Sequence, residues 1–323
     1  DEPRSAEFSW KAAELFAKGG AFDEAGRCYR NFLSQRPEDH RGPTALLRVG
    51  QLHYARGELA QAVEAFQECH QRFPRSFDGA RALVPMARTY LAMGREKLGD
   101  AERALRLVLD DSDVFTPEAG EFVEGLFLLG DVLERDERYE PAISTLQEAL
   151  DRYPGDPRVL RGRFLLGGAY RKSALAMRVQ GREAQGTGDL ERIREESARR
   201  FRAAREVYRK LIVGLEYRPF GGLDEREQMY LRHSYLYEAD CYFETQDYTD
   251  ALKLYEQAAG NLRDSARGLS AHVQMINCHV FLGRTREARA ALARALVVVN
   301  TMPDSAFANR VSPESRGEWK SYF

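Results

Sequence analysis

Residues 126–154 read LFLLGDVLERDERYEPAISTLQEALDRYP. Leu126, Leu129, Gly130 and Leu133 fall three, four and seven positions apart, so they share one face of a helix. Ala142, Leu146 and Ala149 do the same for a second helix, and Pro154 ends it. Arg138-Tyr139 marks the turn between them. The stretch is a helical hairpin with an apolar side on each helix. One such hairpin cannot bury those sides alone, so it requires stacked neighbours.

The neighbours are present in the chain. Leu46, Val49, Gly50 and His53, then Ala62, Phe66 and Cys69, then Pro74 repeat the pattern. Gly50 precedes Ala62 by 12 residues, as Gly130 precedes Ala142. Phe66 precedes Pro74 by 8, as Leu146 precedes Pro154. Ala12, Ala13 and Phe16, with Ala25, Tyr29 and Pro37, form an earlier copy. Met86, Ala87 and Tyr90 with Ala101 and Leu105 form another, with two extra residues in its turn. Further on come Leu166, Gly167 and Tyr170, then Ala239 and Tyr242 with Ala251, Tyr255 and Ala258, then Ile276 and His279 with Ala288, Leu292 and Ala295. Other turn signals are Gly19-Gly20, Arg56-Gly57 and Gly283-Arg284.

This succession resembles the tetratricopeptide repeat family, whose pattern is W-x2-L-G-x2-Y, then A-x3-F, then P. The resemblance implies an all-α fold: a right-handed superhelical solenoid of about seven hairpins. The expected hairpins are residues 6–39, 43–76, 80–113, 123–156, 160–218, 232–265 and 269–302, in a single array over 1–323, with a terminal cap at 312–323. Small residues in the first helix (Gly50, Ala87, Gly130, Gly167, Ala239) admit the second helix at close range. The junction Phe73-Pro74-Arg75-Ser76 resembles those of bacterial cell-envelope repeat proteins, among them outer-membrane assembly lipoproteins and cell-division coordinators.

The fifth copy departs from the pattern. Gly167 lies 37 residues before Ala204, where 12 is the spacing elsewhere. Helical periodicity through Val179 and again from Leu190 to Leu215 predicts two lengthened helices, with a turn at Gly181–Gly188. Glu191 to Lys210 holds eight basic and four acidic residues. A docking surface using Arg192, Arg199, Arg202 and Arg209 is one reading, and a solvated face with internal ion pairs is the other. At the end of the chain, Ser312 with Pro313 is expected to cap a last helix, whose Trp319, Tyr322 and Phe323 cover the stack or meet a partner.

Composition limits the function. Against 50 acids stand 48 bases, so no global charge points to nucleic acid or to a membrane surface. No apolar run approaches the length that spans a bilayer. Cys28, Cys69, Cys241 and Cys278 lack metal or redox spacing and are expected as buried thiols. No phosphate loop, nucleophile elbow or H-E-x-x-H motif occurs. Asp110, Asp111 and Asp113 lack the glycine and distal glutamate of a calcium loop. No cofactor or metal and no catalytic residue is implied.

In the family, first helices line the concave face. The resemblance therefore implies a groove built from Arg48, Gln51, Tyr54, Arg81, Arg88, Asp131, Arg161, Phe164, Arg171, Tyr237, Asp240 and Asn277, with His233, Phe243 and Gln274 among further positions on the same helices. Arg48, Arg81 and Arg88 would make a basic pocket for a carboxylate. Glu14 stands where chaperone-binding members carry the first asparagine of their carboxylate clamp, so that binding mode is not expected. The implied function is a non-catalytic scaffold for another protein or peptide, in the cell envelope if an upstream anchor was removed and otherwise in the cytoplasm. Two alternatives remain: a cytosolic regulator sensing a peptide or effector, and a binder of anionic surfaces or nucleic acid through residues 190–210.

Overall fold

We describe the protein from a computed structural model, over residues 2–110, 114–183, 187–217, 222–263, 265–307 and 315–323. Every regular element among these residues is a helix. The chain divides into two compact units, Asp1–Pro154 and Gly155–Phe323.

The first unit runs α1 (Glu2–Lys18), α2 (Phe22–Gln35), α3 (Gly42–Ala55), α4 (Leu59–Arg72), α5 (Phe77–Arg81), α6 (Leu83–Met93), α7 (Leu98–Leu109), α8 (Gly120–Arg135) and α9 (Tyr139–Arg152). Successive helices pack in chain order, and α6 also touches α8. The small-residue rule has a direct structural cause. A methyl group on Gly50 would come within 2.5 Å of the Phe66 ring, and one on Gly130 would strike Leu146. Gly50 and Gly130 occupy one register position, and Phe66 and Leu146 another. The hairpin closes by seating a large side chain of its second helix on a bare backbone of its first. Phe66 and Leu146 are consequently fully buried.

The Phe73-Pro74-Arg75-Ser76 junction also has a local explanation. Phe73 ends α4, and Ser76 caps α5 by accepting a hydrogen bond from the Gly79 amide (3.0 Å). Gly79 is required because a Cβ there would overlap the Phe73 carbonyl. The third hairpin differs from the expected single first helix. It is broken at Ala82 into α5 and α6, with Pro85 in the first turn of α6, where its missing amide costs nothing. Its two extra turn residues become a 3-10 turn, Arg95–Lys97. In the acidic cluster, Asp110 accepts from Arg106, and Asp111 and Asp113 lie outside the described residues.

The second unit holds α10 (Val159–Glu183), α11 (Thr187–Glu216), α12 (Glu225–Glu244), α13 (Tyr248–Asn261), α14 (Gly268–Phe281), α15 (Thr285–Thr301) and α16 (Arg316–Tyr322). The two lengthened helices of the fifth copy are α10 and α11. Their link is tighter than the expected turn at 181–188. Gly181 stays inside α10, where a Cβ would press on Ile193 of α11, and Thr187 already belongs to α11. Gln185 and Gly186 fall outside the described residues.

The last helix is capped by Ser315, which forms a reciprocal capping box with Glu318. This corrects the expected start at Ser312, which with Pro313 lies outside the described residues. Trp319 is buried against Ala266, Leu269, Val299, Met302 and Ala306. Phe323 stacks on it, while Tyr322 stays exposed. Cys69, Cys241 and Cys278 are buried free thiols and Cys28 is half-buried. Burial pushes Cys69 and Cys278 up to about 12, so both stay protonated at neutral pH.

Candidate functional site

The first helices of the second unit bring one group of charged and aromatic side chains together. Arg171 of α10 lies with its guanidinium 4.3 Å from the Tyr237 ring centre and 3.5 Å from Asp240 Oδ2, both on α12. The Tyr255 hydroxyl of α13 donates to Asp240 Oδ1 at 2.8 Å. Burial works against the Arg171 charge, but the oxygens of Tyr208 and Asp240 outweigh it and hold the guanidinium protonated. Burial, reinforced by Asp240, raises the Tyr255 phenol far above its ordinary value, so Tyr255 remains a donor. Arg171 Nε is buried and has no hydrogen-bond partner among the described residues.

Beside this group is an aromatic shelf. Phe164 lies 5.0 Å from the Tyr230 ring and 6.0 Å from that of Tyr237. His233 stacks on Tyr237 at 5.9 Å. Its Nε2 sits 3.0 Å from Arg267 Nη1, which donates to it. Burial, then Arg267 and Arg232, push His233 down to about 4, so the ring is neutral at physiological pH and can accept that bond.

A cavity of about 120 Å³ opens between Arg171, Leu175, Asp240, Phe243, Tyr255 and Gln274. That volume is below the range of cofactor or substrate pockets. It admits the end of one side chain. Its walls offer one cation, two carboxylates (Asp240 and Glu244), one phenol and an amide, over an apolar side formed by Leu175, Phe201 and Phe243. Such a lining can hold a polar or charged side chain by hydrogen bonds. It supplies no nucleophile paired with a base, and no metal-binding cluster occurs among the described residues.

Of the residues anticipated for a groove, Phe164, Arg171, Tyr237 and Asp240 converge here. Asn277 joins them through Gln274, to which its amide donates at 3.0 Å. Arg161 is exposed near the start of α10. Tyr255, Phe243 and Gln274 complete the cavity. Tyr255 had a signal in the sequence: it is a tyrosine at the buried aromatic position of its repeat, and a buried phenol needs an acceptor.

The anticipated residues of the first unit are used differently. Arg81 pairs with Glu121 at 2.9 Å, and Arg88 pairs with Glu124. Arg48 donates to Gln51 on its own helix, at 3.0 Å. The pocket of three arginines read from the sequence is therefore not a free basic site, because α8 neutralises two of its members. Asp131 is 1% exposed and bound by Arg135 at 2.9 Å, so its place is in the hairpin interior and not on an open face. Tyr54 is half-buried on α3.

Most of the basic stripe on α11 is also engaged. Arg192 pairs with Asp189, Arg199 with Glu196, and Arg209 with Glu238. Arg205 bonds Asp247 at 3.1 Å and covers the Tyr242 ring at 4.1 Å. Arg202 has no such partner among the described residues.

Two family profiles, both described as tetratricopeptide repeat, match this chain: one over residues 86–157, the other over 44–76 and 233–265. Among solved structures, a tetratricopeptide repeat protein from Parabacteroides merdae is similar over 99% of this chain and 97% of its own, at 14% identity and a TM-score of 0.55. The C-terminal part of a TPR repeat-containing protein from Cytophaga hutchinsonii is similar over 82% of this chain and 87% of its own, at 12% identity and a TM-score of 0.55. Likeness at such identities is a likeness of fold. No curated protein matches the chain.

Proposed function

Since this chain is a tetratricopeptide repeat protein, a member of a family of interaction modules, we propose that it is a non-catalytic scaffold that receives an extended segment of a partner protein along α10, α12 and α14. The observation that carries the reading is the Arg171–Asp240–Tyr237 cluster with its adjoining cavity. Buried charges in a repeat array are costly unless paired. Here they are paired and held rigid beside an opening of side-chain size. A preorganised polar cavity next to an aromatic shelf is the arrangement that anchors a peptide side chain with little ordering cost.

The test is selection of peptides from a displayed library on the intact protein, followed by titration against the double variant Gln274→Ala/Asn277→Ala. Both side chains are half-buried and bond mainly to each other, so circular dichroism should be unchanged. The reading expects selected peptides to bind the variant about tenfold more weakly, a loss of roughly 1.4 kcal/mol. Peptides that bind both proteins equally well would move the site elsewhere.

A further inference from the structure

The lengthened α10–α11 hairpin forms a second cleft, against the turn between α12 and α13. Its volume is about 550 Å³, within the range of ligand pockets. Leu190, Arg194, Ala198 and Arg202 fall four residues apart on α11 and so make one stripe along it. Ile193 adds to the apolar floor, and Ala198 keeps the middle of the stripe low.

The two kinds of arginine at this cleft differ. Arg178 is fixed: it binds the carboxylate and the carbonyl of Glu244, donates to Ser197 Oγ at 3.2 Å, and lies 4.9 Å over the Phe201 ring. Arg194 and Arg202 are exposed and make no ion pair or hydrogen bond among the described residues, although their neighbours on α11 do. Among the described residues, the cleft therefore has an excess of positive charge over an apolar floor.

A second observation comes from the backbone. The turns of the hairpins place one residue at positive φ: Gly20, Gly57, Gly283, Glu137 and, at this cleft, Gln246 (φ 66°). That conformation favours glycine by about 1 kcal/mol. At Gln246 the chain bears this cost and gains a polar side chain in the cleft wall.

We propose that this cleft binds an acidic segment of a partner protein, with an apolar side chain seated on Leu190 and Ile193 and flanking carboxylates on Arg194 and Arg202. The apolar floor disfavours a bare phosphate as the occupant. The lining has no aromatic ring on which a base could stack, which disfavours nucleic acid. The proposal rests on the scaffold reading and names the class of partner; apart from Glu244, which lines both openings, it uses residues outside the groove cavity.

The experiment is fluorescence anisotropy on the intact protein with a labelled peptide of Asp-Leu-Glu repeats, compared with its Asn-Leu-Gln isostere. The acidic peptide should bind at least about tenfold more tightly than the isostere. Arg194→Glu/Arg202→Glu should abolish that preference. Gln246→Gly should weaken binding while raising the melting temperature, a combination that misfolding cannot produce. Gln274→Ala/Asn277→Ala should leave acidic-peptide affinity within about twofold, as expected for separate sites. Equal binding of the isostere, or retained preference in the arginine variant, would overturn the cleft. Loss in the Gln274/Asn277 variant alone would also overturn it and would leave the groove reading standing. Arginine-dependent binding of anionic vesicles or a single-stranded oligonucleotide, with no peptide binding, would overturn it in favour of those ligands.

Discussion

At the scale of single residues, the fold depends on where a Cβ is absent. Gly50 faces a side-chain neighbour: a Cβ there would lie 2.5 Å from the buried Phe66 ring, which would have to move aside. Gly79 faces a fixed one, the Phe73 carbonyl. Gly50→Ala is therefore expected to cost about 1–3 kcal/mol, the range for overpacking a core. Gly79→Ala should exceed that range, since backbone must move. Urea denaturation of both variants checks the order. His233 gives a second test. Its lowered value means that the folded state binds its proton less readily than the unfolded chain does. Stability contributed by the neutral ring is full above the unfolded value and is lost as pH falls from about 6.5 toward 4. His272, also lowered by burial and by Arg294, acts in the same direction. His233→Gln should flatten part of the pH dependence and leave the part that belongs to His272, as read from urea midpoints between neutral and acidic pH.

At the scale of helices, the hairpin is the unit the sequence encodes most plainly. The Gly130–Leu146 seat lies within one short segment, so spacing alone reveals it. Long-range pairings left no such trace. Arg81 and Arg88 read as free bases because their acids, Glu121 and Glu124, sit on α8, three helices after that of Arg81 and two after that of Arg88. Asp131 read as a groove residue because register alone does not show that this position of α8 is buried. The start of α16 was misplaced for a local reason: two serines, Ser312 and Ser315, precede the same helix, and only the second has a glutamate three residues on to complete the box. The clearest cap elsewhere is Asp224, which accepts from the Glu227 amide at 2.8 Å while Glu227 returns the bond. Asp224→Ala is expected to lower stability by about 1 kcal/mol, with Asp224→Asn close to wild type. Amide exchange in the first turn of α12 would localise the effect.

At the scale of the whole chain, each unit is a succession of hairpins with buried contacts between neighbours, and its surface chemistry is uneven. In the first unit, the arginines read as a pocket are matched by acids of the adjoining helix. In the second unit, the lengthened fifth hairpin carries both openings of interest. One is the groove cavity, where charges are paired and buried, and the other is the α11 cleft, where two arginines are left over. The resemblance legible in the sequence implied an interaction surface and named Phe164, Arg171, Tyr237, Asp240, Phe243 and Gln274, which the structure brings together. It did not reveal the bond from Tyr255 to Asp240, because Tyr255 sits on the second helix of its hairpin and its approach is set by packing.

The most direct measurement is hydrogen–deuterium exchange of the intact protein with and without a peptide selected on it. The account predicts added protection in α10 around Arg171, in α12 around Tyr237 and Asp240, and in α14 around Gln274, with little change across the first unit. Protection confined to the first unit, or absent from those three helices, would contradict it.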